Sequence, residues 1–116
     1  HVSRKILLAN LASSDVVCFP SLYEACPLAM IEAMALRKPI VAFDLPFARE
    51  ILGDDCDMLF AQDTLDYARK LVRLIDSPNE RTKLGRILEA RANIFDSSRT
   101  AASYRAIYQD LVTESR

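Results

Sequence analysis

Apolar residues in this chain fall first into alternating helix-like and strand-like blocks, and then into helix-like blocks only. Ile6, Leu7, Leu8, Leu11 and Ala12 make a helical stripe behind a Ser3 cap, and the stripe ends near Ser13-Ser14-Asp15. The run DVVCF at residues 15–19, closed by Pro20, has the β-branched and aromatic character of a buried strand. Pro27 then suits the first turn of a helix running to about Leu36, and PIVAF at residues 39–43 reads as a second buried strand. A short helix over 47–52 leads to a weaker third strand at 58–61. Beyond it Asp63 or Thr64 caps a helix whose predicted inner face is Leu65, Ala68, Leu71, Val72 and Ile75. Ser77-Pro78-Asn79-Glu80 has the form of a capping box, opening a helix that presents Leu84, Ile87, Leu88 and Arg91. A last helix from about Ser98 carries Ala101, Tyr104, Ile107, Tyr108 and Leu111.

Strand, helix, strand, helix, strand predicts an α/β fold with a parallel sheet and right-handed crossovers. Three strands are half of a doubly wound sheet, so an open apolar edge is expected, with dimerisation or strand exchange by the isolated chain. The 116 residues form one domain, their 51% hydrophobic content is enough for a core, and no apolar run approaches the roughly 18 residues of a membrane span. The start at His1, with no signal-peptide pattern, predicts an excised piece of a longer protein. A net charge of −1 offers no field to gather nucleic acid. Three cysteines, Cys18, Cys26 and Cys56, match neither a zinc motif nor a disulfide framework and point to a reducing, cytoplasmic setting.

The chemistry is concentrated in YEACPLAMIEAMA, residues 23–35, where Glu24 and Glu32 bracket seven uncharged residues. On a helix, Glu32 has Leu28, Ala29, Ala35 and Leu36 as its neighbours, which sets a carboxylate on an apolar face with no helical partner. An uncompensated buried polar group costs roughly 2 to 7 kcal/mol, so the contacts must come from elsewhere, either from ligand hydroxyls or from buried backbone. Glu24 precedes the helix at the carboxyl end of the first strand, the rim where open parallel sheets bind ligands. None of Ala25, Cys26 and Pro27 caps the helix well, leaving the amides of Leu28 and Ala29 to face an anion. Two carboxylates beside such a helix end describe a site for a phosphorylated sugar or nucleotide.

These residues also carry a resemblance. PSLYEACPLAMIEAMALRKPIVAFD, residues 20–44, resembles the E-x7-E segment of retaining glycosyltransferases of family 4, which have the GT-B architecture of two Rossmann-like domains. In weaker form the similarity runs from about Val2 to Tyr108 and includes Glu50. It implies a partial Rossmann-like C-terminal domain, residues 1–116, that binds a nucleotide-sugar donor. Glu24 is then the catalytic residue and contacts the transferred sugar, Glu32 holds the ribose, and Ala25, Cys26, Pro27, Leu28 and Ala29 lie along the sugar and diphosphate. It implies a hexosyltransferase-like enzyme with no cofactor and no metal, since the nucleotide-sugar is a substrate. The acceptor is left open between a lipid-linked and a polysaccharide one. The diphosphate clamp of such enzymes lies ahead of His1, so this segment alone is expected to be inactive. A non-catalytic nucleotide- or sugar-binding module, and a structural interaction module, are the alternatives. The family tends to place glycine where Ala25, Arg37, Pro46-Phe47 and Cys56-Asp57 stand here, which implies a reshaped pocket in which Phe47 narrows the space or stacks on a ring.

Other features weigh less. Cys26 at a helix start has the placement of a nucleophile, yet the lone histidine, His1, sits at the chain terminus and supplies no base, so a packed or idle thiol is expected. Asp54, Asp55 and Asp57 lack the spacing of a calcium loop and read as a solvated turn. Seven basic against three acidic residues between Arg69 and Arg91 suit a solvated helix face, or a protein peripheral to an anionic membrane. Tyr104 and Tyr108, one turn apart, are expected to pack.

Overall fold

A computed structural model describes residues 2–114; His1 lies outside them. The sequence folds as an α/β layer with a three-stranded parallel sheet in the order β1-β2-β3, where β1 is Val17–Phe19, β2 Ile40–Phe43 and β3 Phe60–Ala61. Val17 pairs with Ile40 and Phe19 with Ala42, while Ala42 and Phe43 pair on the other side with Phe60 and Ala61. Helices α1 (Arg4–Ser13), α2 (Leu28–Ala35), α3 (Pro46–Leu52), α4 (Thr64–Asp76), α5 (Pro78–Ala92) and α6 (Ser97–Glu114) complete the chain. Central β2 is buried, as a two-sided strand should be. Edge strand β1 is not the fully buried strand that its composition suggests, because Cys18 is exposed and Val17 and Phe19 are only half-buried.

The third strand is shorter than expected, since Asp57–Leu59 form a 3-10 turn that delivers only Phe60 and Ala61 to the sheet. Pro27 stands just ahead of α2 as its cap residue, not inside its first turn. Ser3 and Asp63 cap α1 and α4 as expected, accepting from the amides of Ile6 and Asp66. Ser77 caps α5 through the amide of Glu80, but the Glu80 carboxylate turns to Arg73 at 2.9 Å.

Rotation of α4 departs most from the periodicity. The core receives Tyr67 and Leu74, with Leu71 packed beside them, whereas Leu65, Val72 and Ile75 are exposed. Tyr67 decides this: its hydroxyl donates to the Val41 carbonyl at 2.7 Å and its ring lies 5.1 Å from that of Phe43. A buried hydroxyl must find a partner, and this one turns the helix to reach it. Burial pushes the Tyr67 hydroxyl up to about 12, so it remains a donor at neutral pH. Tyr104 and Tyr108 do not pack as expected either; both are exposed on α6.

Helix α5 closes the fold beneath α2 and α3. After α2, the amide of Arg37 donates to the carbonyl of Met34 and that of Lys38 to Ala33, a paired closure that puts Arg37 in the left-handed region at φ 58°. This explains why glycine suits that position. Arg37 is pinned from below: a Cβ on Gly85 of α5 would lie 2.2 Å from the Arg37 carbonyl oxygen, so only glycine permits the approach. Further along α5, Arg91 donates to the carbonyls of Ile51 and Glu50 at 2.8 and 2.6 Å, satisfying the carboxyl end of α3 where Gly53 takes φ 83°.

Candidate functional site

The strands end their carboxyl sides in three loops that form one rim. The first, residues 20–27, leads from β1 into α2. Within it the Ser21 hydroxyl donates to Oε1 of half-buried Glu24 at 2.9 Å, which fixes the carboxylate beside the strand tip. Ala25 and Cys26 are exposed, Pro27 is buried, and no side chain caps α2. Leu28 is exposed and Ala29 half-buried, so the first amides of α2 open toward the rim with the positive end of the helix dipole behind them. Leu22 and Tyr23 stand 74% and 89% exposed beside Glu24. Large apolar side chains grouped at an open rim mark a surface that something else covers.

Glu32 occupies the second turn of α2 and is 19% exposed, so it does face the apolar wall. Its contact comes neither from its own helix nor from buried backbone but from a side chain that the sequence reading did not name: Nη2 of Arg4, from the first turn of α1, lies 2.9 Å from its Oε1. That pairing depends on α1 packing against α2, a tertiary contact invisible to helical spacing. Arg4 is itself 77% exposed, and such pairs contribute roughly 0 to 1 kcal/mol, so the arginine only partly offsets the desolvated acid. Oε1 is the atom it engages.

The second and third loops hold a cluster that the sequence did not announce. Arg49 of α3 grips Asp44 at the tip of β2 through Nε–Oδ1 at 2.6 Å and Nη2–Oδ2 at 2.9 Å, and Gln62 adds a bond to Oδ2 at 2.7 Å. The Arg49 guanidinium stacks 4.2 Å over the Phe60 ring. These hydrogen bonds, Arg49 first and Gln62 second, hold the Asp44 carboxyl down to about 2. Asp44 is therefore a fixed anion. Arg49 also reaches Asp54 and Asp57 at 3.4 and 3.2 Å, so two of the three aspartates in the solvated turn are partners of an arginine. Pro20, Leu22, Phe43, Asp44 and Gln62 line a depression of about 450 Å³ that crosses all three strand tips. Phe47 packs against the core and does not line that depression. Burial pushes the Cys56 thiol up, away from reactivity.

Glu24 thus lies ahead of the α2 start and Glu32 in its second turn, one acid tied to a serine and the other to an arginine. Against known families, residues 2–77 match the model described as "Glycosyl transferases group 1". The chain belongs to the group 1 glycosyl transferases. Within this glycosyltransferase family it is 36% identical, over 96% of its length, to an "MMP alpha-(1->4)-mannosyltransferase" of Mycolicibacterium hassiacum, of which it covers 28%. Proteins named "D-inositol 3-phosphate glycosyltransferase" from Salinispora tropica and Paenarthrobacter aurescens are 28% and 30% identical over 90% and 87% of this chain, which covers 22% and 25% of them. The chain spans about a quarter of the length of these curated relatives. No solved structure matches it. The three-stranded parallel sheet with its helices is consistent with part of a GT-B, Rossmann-like glycosyltransferase domain. Among the described residues, no helix of this glycosyltransferase chain is long and apolar enough to cross a membrane.

Proposed function

We propose that the chain is the donor-binding part of a retaining family 4 glycosyltransferase, which takes a hexose from a nucleotide-sugar. The observation that carries this reading is Glu32, three-quarters or more withdrawn from solvent and offset only by the exposed Arg4. Ribose hydroxyls are donors of the right kind to complete its contacts. Glu24, held by Ser21, faces the hydroxyls of the transferred sugar, and the amides of Leu28 and Ala29 meet the diphosphate, with Ala25, Cys26 and Pro27 along its path. The mannosyltransferase relative supports a hexosyl donor. Neither cofactor nor metal enters this reading. The acceptor, lipid-linked or polysaccharide, is met by other parts of a longer polypeptide.

Calorimetric titration with UDP- and GDP-sugars tests the proposal, using the chain or any longer polypeptide that carries it. Saturable heat that disappears in Glu32→Ala is expected. Saturable heat without transfer or hydrolysis supports the non-catalytic binding module instead. Silence from every nucleotide-sugar in the longer polypeptide leaves the interaction module, for which the exposed edge of β1 at Cys18 is the favouring observation.

A further inference from the structure

The amino ends of the strands, opposite the rim, hold a second feature that the donor reading does not use. Arg37 and Lys38 from the turn after α2, Asp15 from the loop before β1, and Arg81, Thr82 and Arg86 from α5 line one cleft of about 240 Å³. Four cations and one carboxylate leave its lining at +3 (4 − 1), in a chain whose net charge is −1. Such a concentration is not a by-product of overall composition. Two of the cations are occupied: Arg81 donates to the Leu74 carbonyl at 2.8 Å and approaches Asp15 at 3.5 Å, and Arg37 pairs with Glu89 at 2.8 Å. Lys38 and Arg86 have no carboxylate within 4.0 Å among the described residues. Lys38 is also half-buried.

The walls are rigid. The left-handed Arg37 turn is closed by two hydrogen bonds to α2 and braced by Gly85, whose lack of a Cβ seats α5 directly under it. We propose that this cleft binds a phosphoryl group, held between Lys38 and Arg86 with Arg37 and Arg81 at its sides. A dianionic tetrahedral group matches the two cations left without a carboxylate, Lys38 and Arg86, and presents the oxygens that guanidinium forks grip. Its volume lies below the roughly 300 Å³ at which ordinary small-molecule pockets begin, so it suits a phosphate head and not a whole nucleotide-sugar. The phosphoryl group belongs either to a free phosphate or phosphate ester, or to a phospholipid headgroup.

The test follows backbone amides by NMR while pyrophosphate is titrated, and in parallel measures cosedimentation with phosphatidylcholine vesicles with and without phosphatidic acid. The chain is used, or the longer polypeptide where it is part of one. Expected are saturable shifts at Lys38 and over residues 82–86, weakened by at least about tenfold in Lys38→Ala/Arg86→Ala, the scale of losing charge-assisted hydrogen bonds. Glu32→Ala leaves them unchanged, which separates this site from the donor rim. Cosedimentation that needs phosphatidic acid and is lost in the double variant identifies the lipid as the source, whereas pyrophosphate shifts without it identify a soluble ester. Shifts confined to residues 24–29, binding indifferent to the double variant, or no response in either arm would overturn the proposal.

Discussion

The two ends of this sheet are built on opposite terms. At the amino ends, α5 presses so closely on the turn after α2 that Gly85 has no room for a methyl group, and the cleft there is lined by arginine and lysine. At the carboxyl ends the loops stay open, Leu22, Tyr23 and Leu28 are exposed, and two carboxylates stand at the strand tips, Glu24 held by Ser21 and Asp44 by Arg49. The contrast teaches where the fold is stabilised and where it stays available. Tight backbone approach fixes the scaffold, while a rim with incompletely matched acids is free to recognise a ligand.

The strongest way to break the closed end is Gly85→Ala. Its methyl would sit 2.2 Å from the Arg37 carbonyl oxygen and 3.0 Å from the carbonyl carbon, and backbone cannot swing aside as a side chain can. Overpacking of this kind costs about 1 to 3 kcal/mol, to be read as a shift in the urea unfolding midpoint at constant slope. An unshifted midpoint would mean that α5 does not approach the turn as described. At the open end, Glu32→Ala should weaken nucleotide-sugar binding by about tenfold or more, about 1.4 kcal/mol, while its lost exposed pair with Arg4 changes stability by less than about 1 kcal/mol. A variant that loses both binding and stability in equal measure would make Glu32 a structural residue.

Arg37→Gly sharpens the comparison in the other direction. The left-handed conformation disfavours a side chain by roughly 1 to 2 kcal/mol, and the greater freedom of unfolded glycine returns part of that, so a net gain of a few tenths to about 1 kcal/mol is expected in the same unfolding assay. The last effect is on acid stability. Asp44 titrates at about 2 in the fold against 3.8 when unfolded, so its contribution is complete above about pH 4. As pH falls from there toward 2 the unfolded chain takes up the proton first and the contribution is lost. Asp44→Asn should flatten that part of the stability–pH curve; an unchanged slope would show that Arg49 does not hold the carboxylate.

Much of this was readable wherever the determinants are local. Caps at Ser3, Asp63 and Ser77, buried β2, and the placement of Glu24 and Glu32 around an uncapped helix start all follow from neighbours within four residues. What could not be read depends on partners far along the chain. The rotation of α4 is set by Tyr67 reaching Val41, 26 residues away, and an apolar count cannot weigh that one hydroxyl against Leu65 and Val72. Arg4 meets Glu32 only because α1 folds back on α2. The Asp44–Arg49–Gln62 cluster spans the tips of two strands, with only the five-residue step from Asp44 to Arg49 as a local hint. Arg37 was marked in the sequence as a missing glycine, and the φ of 58° shows the turn that glycine would serve.

The most direct test of the account is the affinity of Glu32→Ala for UDP- and GDP-sugars by calorimetry, beside the unsubstituted protein and Arg4→Ala. The account predicts saturable binding that Glu32→Ala loses and Arg4→Ala retains, with all three proteins folded. Equal binding with and without the Glu32 carboxylate would contradict it.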